Sequence, residues 1–164
     1  MATSSARVAS RLEIDDVLHR YCTAIDTRDF VALAAAFTTD AQFILPGQPA
    51  VVGNLAIAES VRRSTEPRSW QQHFLTVCQV SFKADDRVET LSYLMSHKTF
   101  IDEPDRVSQL CGRYVDELRL IEGKWLIASK RLYVGWVEDR RYPQDPAVST
   151  DRYGSGATAP GTNS

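Results

Sequence analysis

A chain of 164 residues, 43% hydrophobic and 24% charged, has the length and composition to fold one domain around a real core, and disorder over most of its length is excluded. A net charge of −2 with a pI near 5.9 gives no basic field for nucleic acid or anionic lipid, and no apolar run is long enough to span a bilayer. The three cysteines, Cys22, Cys78 and Cys111, are scattered through apolar segments and read as reduced thiols of a cytoplasmic protein, with no Cys/His cluster at zinc spacing and no cofactor motif.

Residues 1–9 are small and polar and read as a flexible N-terminus. A helix follows from about Ser10 to Ile25. Ser10 with Glu13 resembles a capping box, and Ile14, Val17, Leu18, Tyr21, Cys22 and Ile25 repeat at i, i+3, i+4, i+7. Asp26 closes the segment, and Thr27–Arg28–Asp29 reads as a turn. Asp29 caps a second, shorter helix with Phe30, Leu33, Ala34 and Phe37 on its stripe, ended by Thr38–Thr39–Asp40. Gln42 to Leu45 is a short strand stopped by Pro46–Gly47–Gln48–Pro49, and Val51–Val52 returns as another. Asn54 reads as the cap of a third helix with Ile57, Ala58 and Val61 inward.

From Trp70 the period changes to two. Gln71 to Phe82 is a long strand with His73, Leu75, Val77 and Gln79 on one face and Phe74, Thr76, Cys78, Val80 and Phe82 on the other. Val88 to Ile101 is a second, with Leu91, Tyr93, Met95 and His97 sharing a face. Val107 to Leu120 is a third. Trp125 to about Trp136 is a fourth, with Trp125, Ile127, Ser129, Arg131 and Tyr133 together. The stretch 143–164 is rich in Pro, Gly, Ser, Thr and Ala and is expected to be a disordered tail, leaving 10–142 as the domain. Helices first and then four strands on short turns is an α+β order: a curved, largely antiparallel sheet whose apolar face the N-terminal helices cover, with a pocket inside.

Tyr21 and Asp26 are polar groups beside an apolar stripe and need partners, for which His73 and Arg131 are the candidates. A histidine held by a carboxylate is a good base near neutral pH, because the carboxylate fixes the tautomer and stabilises the imidazolium. Blander readings stand beside this. Asp26 alone is a helix-end residue, His73 alone a satisfied strand histidine, Tyr21 a core aromatic, and Arg131 a cross-strand partner of Asp116 or Glu117. At ~100° per residue Tyr21 and Asp26 lie roughly 140° apart around the helix axis, so spacing alone does not aim both into one pocket.

Several phrases resemble the SnoaL-like branch of the NTF2-like, cystatin-type α+β cone superfamily. They are Tyr21–x4–Asp26–x2–Asp29 followed by Leu33–x3–Phe37–Thr38–x–Asp40–Ala41, Gly53 before the third helix, and Gly112–Arg113–Tyr114–x–Asp116–Glu117–Leu118 followed by Gly123–Lys124–Trp125–Leu126–Ile127. The likeness covers about Leu12 to Trp136. Members include bile-acid dehydratase, lindane dehydrochlorinase and, more distantly, scytalone dehydratase. The resemblance implies catalytic residues at Asp26, His73, Tyr21 and Arg131. Trp70, Phe43, Met95 and Tyr133 read as core residues that a cone pocket for a ring-shaped substrate would use, and His97 as a structural or pocket-lining residue. The chain departs from the bile-acid dehydratase pattern on the second long strand, where an additional acid is replaced by Ser96 and His97.

The expected activity is that of a cofactor-independent lyase of dehydratase type, acting on a hydrophobic, cyclic or polyketide/steroid-like small molecule. An isomerase or polyketide cyclase with the same dyad, or a non-catalytic binding or assembly module, are the alternatives. An apolar sheet face beside the helices also leads to an expected homodimer or homotrimer.

Overall fold

Three helices precede four long strands in the computed structural model, which describes residues 4–142. The segment 143–164, expected to be a disordered tail, lies outside the described residues.

Helix α1 runs Ser4–Asp26. It starts six residues before the expected Ser10, because neither Gly nor Pro interrupts Ser4–Ser10, so the stretch read as flexible is helical from Ser4. Its first turns project into solvent, with Val8 60% and Leu12 66% exposed. The stripe Ile14, Val17, Leu18, Tyr21, Cys22 and Ile25 is buried throughout. The helix ends in a Schellman motif. Arg28 adopts φ 59°, its N–H donates to the Ile25 carbonyl at 3.2 Å, and the Asp29 N–H reaches Ala24 at 2.9 Å. Arginine lacks glycine's freedom at positive φ, and its guanidinium fixes the turn by donating to the carbonyls of Thr65 (3.0 Å) and Arg68 (2.6 Å).

Helix α2, Phe30–Ala35, is capped by Asp29, whose carboxylate accepts the Ala32 N–H at 2.9 Å. Phe37 does not extend this helix. It opens strand β1, Phe37–Ile44, which also takes Thr38–Thr39–Asp40. The Ile127 N–H donates to the Ala36 carbonyl at 2.9 Å, so the chain leaves α2 directly into parallel pairing with the last strand. Strand β2, Val51–Val52, pairs antiparallel with β1. Helix α3, Asn54–Thr65, buries Ile57, Ala58 and Val61 as expected, but its N-cap is Gly53 at φ 97° rather than Asn54. The Asn54 amide instead lies 3.4 Å from the Ala34 carbonyl, as donor to it.

Strands β3 (Arg68–Ala84), β4 (Arg87–Phe100), β5 (Arg106–Ile121) and β6 (Lys124–Arg141) complete a six-stranded mixed sheet of order β2-β1-β6-β5-β4-β3, in which only the β1–β6 pair is parallel. The helices cover one face, and the core lies between them and the sheet.

Single-residue bulges change which side chains face the helices. On β3, Val77 stands opposite Ser92 and Gln79 opposite Leu91, so Cys78 is extra. Beyond it the alternation inverts, and Val80 and Phe82 join Leu75 and Val77 against the core instead of lying across the sheet from them. On β6, Ile127 faces Leu118 and Ser129 faces Glu117, so Ala128 is extra; Val134 faces Gly112 and Trp136 faces Cys111, so Gly135 is extra. The first of these bulges turns Lys130 inward, fully buried, and Arg131 outward, exposed.

Candidate active site

The end of α1 is gripped by two residues of β3 that share a face because they are two apart. The Gln71 side chain donates to the Ile25 carbonyl at 2.6 Å, and its oxygen accepts from Arg68 at 2.6 Å. Two positions on, the His73 backbone N–H donates to Asp26 Oδ2 at 2.8 Å, while ring Nδ1–H donates to Asp26 Oδ1 at 2.5 Å. Both carboxylate oxygens are therefore engaged by the same residue. A carboxylate accepts, so in a neutral imidazole this contact places the ring proton on Nδ1 and leaves Nε2 as the free acceptor. The His73 side chain is 7% exposed and that of Asp26 20%, so the pair is largely shielded from bulk water.

Tyr21 points elsewhere. The helix stays regular through Asp26, and β3 wraps its end, so the two residues serve different neighbours. Tyr21, 1% exposed, packs edge-on against Phe37 and Tyr114. Its hydroxyl lies 3.5 Å from that of Tyr114, at the far limit of a hydrogen bond. Lys130 Nζ sits 4.3 Å from the Tyr21 ring centroid and 3.9 Å from that of Tyr114, and donates to Asp116 Oδ2 at 2.7 Å. Burial, with Tyr114 next, pushes the Tyr21 phenol well above its ordinary range, and burial likewise raises Tyr114. Burial also raises the Asp116 carboxyl, against the pull of Lys130. Asp116 Oδ1 and the hydroxyls of Thr90 and Ser92 have no hydrogen-bond partner among the described residues. Cys22 lies between this cluster and the dyad, within the fields of both Asp26 and Lys130, and burial holds its thiol up at about 12.

Of the residues expected at the site, Asp26 and His73 meet, and Tyr21 and Phe43 lie on the helix-covered side, Phe43 opposite Lys130. Trp70, Met95, His97, Arg131 and Tyr133 project from the other face of the sheet. The His97 ring stacks edge-on with the exposed Phe74, Met95 Sδ accepts from Gln109, and Tyr133 lies beside Arg113. They do not surround the dyad. The inward cation is Lys130. It went unread because the Ala128 bulge leaves no mark on the apolar pattern, whereas Tyr114 and Asp116 sit inside a phrase already singled out. A groove of about 480 Å³ between α1, α2 and the β5–β6 turn, lined by Glu13, Arg20, Ala32, Lys124 and Trp125 among others, includes neither Asp26 nor His73. Among the described residues no group of three or more His, Cys, Asp or Glu gathers to hold a metal ion, and no helix is long and apolar enough to cross a membrane.

Three N-terminal helices on one face of a curved, open mixed sheet, with an acid from the first helix set on a histidine of the first long strand, define an α+β protein of the NTF2-like class. The chain belongs to the SnoaL-like domain family, whose pattern matches residues 6–131. A comparison with curated proteins finds no match. Among solved structures it is similar to a proposed scytalone dehydratase from Novosphingobium aromaticivorans DSM 12444, with 16% identity over 86% of this chain and 94% of that one and a TM-score of 0.78. A hexachlorocyclohexane dehydrochlorinase of type 2 is 17% identical over 89% of this chain and all of that one, with a TM-score of 0.79. A proposed aromatic ring hydroxylase, also from N. aromaticivorans, is 26% identical over 81% of this chain and 94% of that one, with a TM-score of 0.74. The superpositions, at these identities, show a shared fold.

Proposed function

We propose that this chain is a cofactor-independent lyase of dehydratase type, in which His73, held by Asp26, removes a proton from a hydrophobic cyclic small molecule. The observation that carries this reading is the double grip of Asp26 on the ring and the backbone of His73, at 2.5 and 2.8 Å. Nε2 takes a proton from the carbon next to a carbonyl, and Asp26 stabilises the imidazolium that forms. The electron pair moves toward the carbonyl and expels a group one carbon further on. Isomerisation or ring closure uses the same base with no leaving group, and the product formed separates these outcomes. The high phenol pKa keeps Tyr21 as O–H at working pH. It is suited to hydrogen-bonding an oxygen and poorly suited to giving up its proton. The free thiols of Cys22 and Cys111 support a cytoplasmic setting.

The test needs no natural substrate. 5-Nitrobenzisoxazole loses its C3 proton to a base as its N–O bond opens to a coloured phenolate. The protein should accelerate this reaction over buffer, and His73→Gln and Asp26→Asn should each lower the rate by about 10²–10⁴-fold, with the circular dichroism spectrum unchanged. A His73→Gln protein that keeps the full rate would rule the mechanism out.

The outer sheet face carries Phe74, Tyr93, Tyr133 and Trp136, each between 45% and 55% exposed. We propose that it is covered by a second copy of this chain, because such a contiguous aromatic face is seldom left in water. A monomeric mass by light scattering at micromolar concentration would contradict this.

A further inference from the structure

Beyond the dyad, one more row of side chains crosses the same face of the sheet. Gln71 on β3, Lys98 on β4, Ser108 on β5 and Asp139 on β6 stand opposite one another, one step along the strands from the row of His73 and Ser96. The row faces the end of α1, since Gln71 is buried and bonded to the Ile25 carbonyl, and Ser108 is 8% exposed. Lys98 therefore leaves the sheet on the side of the dyad. His73 and Lys98 are diagonal neighbours across the β3–β4 pair, a relation of about 7–8 Å between backbones that long side chains span.

Among the described residues the only anion acting on Lys98 is Asp139, and that acts at a distance without a hydrogen bond. The Asp139 carboxylate is already taken by Ser108 and by Arg106, the latter at 2.7 Å. Arg68 adds a second positive charge beside Lys98. Burial, then Arg68, pushes the amine down to about 8, with Asp139 pulling the other way. A half-buried ammonium with a like charge beside it is relieved by an anion entering between them.

We propose that Lys98, with Arg68 beside it, is a substrate-recognition residue that receives a carboxylate carried on the edge of the hydrophobic molecule lying against His73. This rests on the dyad being where that molecule binds, and it narrows the substrate class to hydrophobic carboxylates. A charge-assisted hydrogen bond in a half-buried place makes a neutral isostere bind at least about tenfold more weakly.

The probes are 1-naphthoate and its neutral isostere 1-naphthamide, titrated calorimetrically into the full chain. The wild-type protein should bind the carboxylate at least about tenfold tighter than the amide. Lys98→Met should erase the preference, and Lys98→Arg should keep it. Equal binding of the two probes, a preference that survives in Lys98→Met, or no binding of either at millimolar concentration would each overturn the proposal. His73→Gln retains Lys98 and should retain the preference. A protein that shows it while lacking His73-dependent opening of 5-nitrobenzisoxazole would keep the carboxylate subsite and lose the base.

Discussion

Replacing Lys130 by methionine strands a charge. Lys130 and Asp116 have fully buried side chains, bridged at 2.7 Å, and Asp116 Oδ1 already lacks a partner among the described residues. Removing the ammonium leaves both carboxylate oxygens unpaired in the interior. Breaking a buried pair from one side costs about 3–5 kcal/mol, against a total stability of about 5–15 kcal/mol for a domain. At about 3 °C per kcal/mol for a domain of this size, the melting temperature should fall by about 10–15 °C. The loss depends on pH in a definite sense. Burial raises the Asp116 carboxyl even with Lys130 present, and without Lys130 it rises further. A group whose folded pKa is raised contributes its stability below the unfolded pKa and loses it as pH climbs through the folded one. The penalty of Lys130→Met is therefore greatest at neutral pH and shrinks on acidification. Replacing both partners by apolar residues, Lys130→Met with Asp116→Leu, removes the stranded charge and should restore much of the loss. Urea unfolding at pH 7 and pH 5.5 measures all of this. A single variant within about 1 kcal/mol of wild type at pH 7, or a double variant no better than the single, would refute the reasoning.

Arg131→Gln should leave opening of 5-nitrobenzisoxazole within about twofold and stability within about 0.5 kcal/mol, since Arg131 stands exposed on the face away from the dyad; a hundredfold loss of rate would return it to the site. Gly112→Ala should lower stability by about 1–3 kcal/mol, because a Cβ there meets the Tyr133 carbonyl oxygen at 2.5 Å and a backbone atom cannot swing aside; an unshifted urea midpoint would contradict it. Asp29→Ala should cost about 1 kcal/mol by removing the cap of α2, readable in the same unfolding experiment.

Period and punctuation carried the helices and strands. The stripe from Ile14 to Ile25 is buried as its spacing requires, and the acid after it meets the histidine that opens the period-two region. Helix boundaries were less legible. The start of α1 was moved outward by residues with no stop signal, and Phe37 was captured by pairing with β6, a contact some ninety residues away. The bulges were invisible. An extra Cys78 or Ala128 changes no composition, yet inverts every side chain beyond it until the next irregularity. That is why the inward cation is Lys130 when alternation from Trp125 points to Arg131.

The aromatic residues misled for a different reason. Burial of apolar side chains is the usual guide to which face of a strand is inside, and here it is mixed, because Val88, Leu94, Leu118 and Ile127 share the helix-covered face with polar residues. The helix-covered face of β4 and its neighbours holds Thr90, Ser92, Ser96, Asp116 and Lys130, all buried. The open face holds Phe74, Tyr93, Tyr133 and Trp136, all substantially exposed. Each placement is unfavourable by itself, since buried polar groups lose hydration and exposed aromatics order water. A fold keeps two such conflicts on one sheet only where something else is gained. Inside, the gain we propose is the row of His73 and Lys98, set to meet the oxygens of a bound molecule, while Lys130 lies several rows away and fully buried on Asp116. Outside, it is a contiguous aromatic surface suited to another copy. The two proposals are thus linked: side chains proposed to meet a second copy on the outer face, such as Phe74, are sequence neighbours of those proposed to hold the substrate, such as His73.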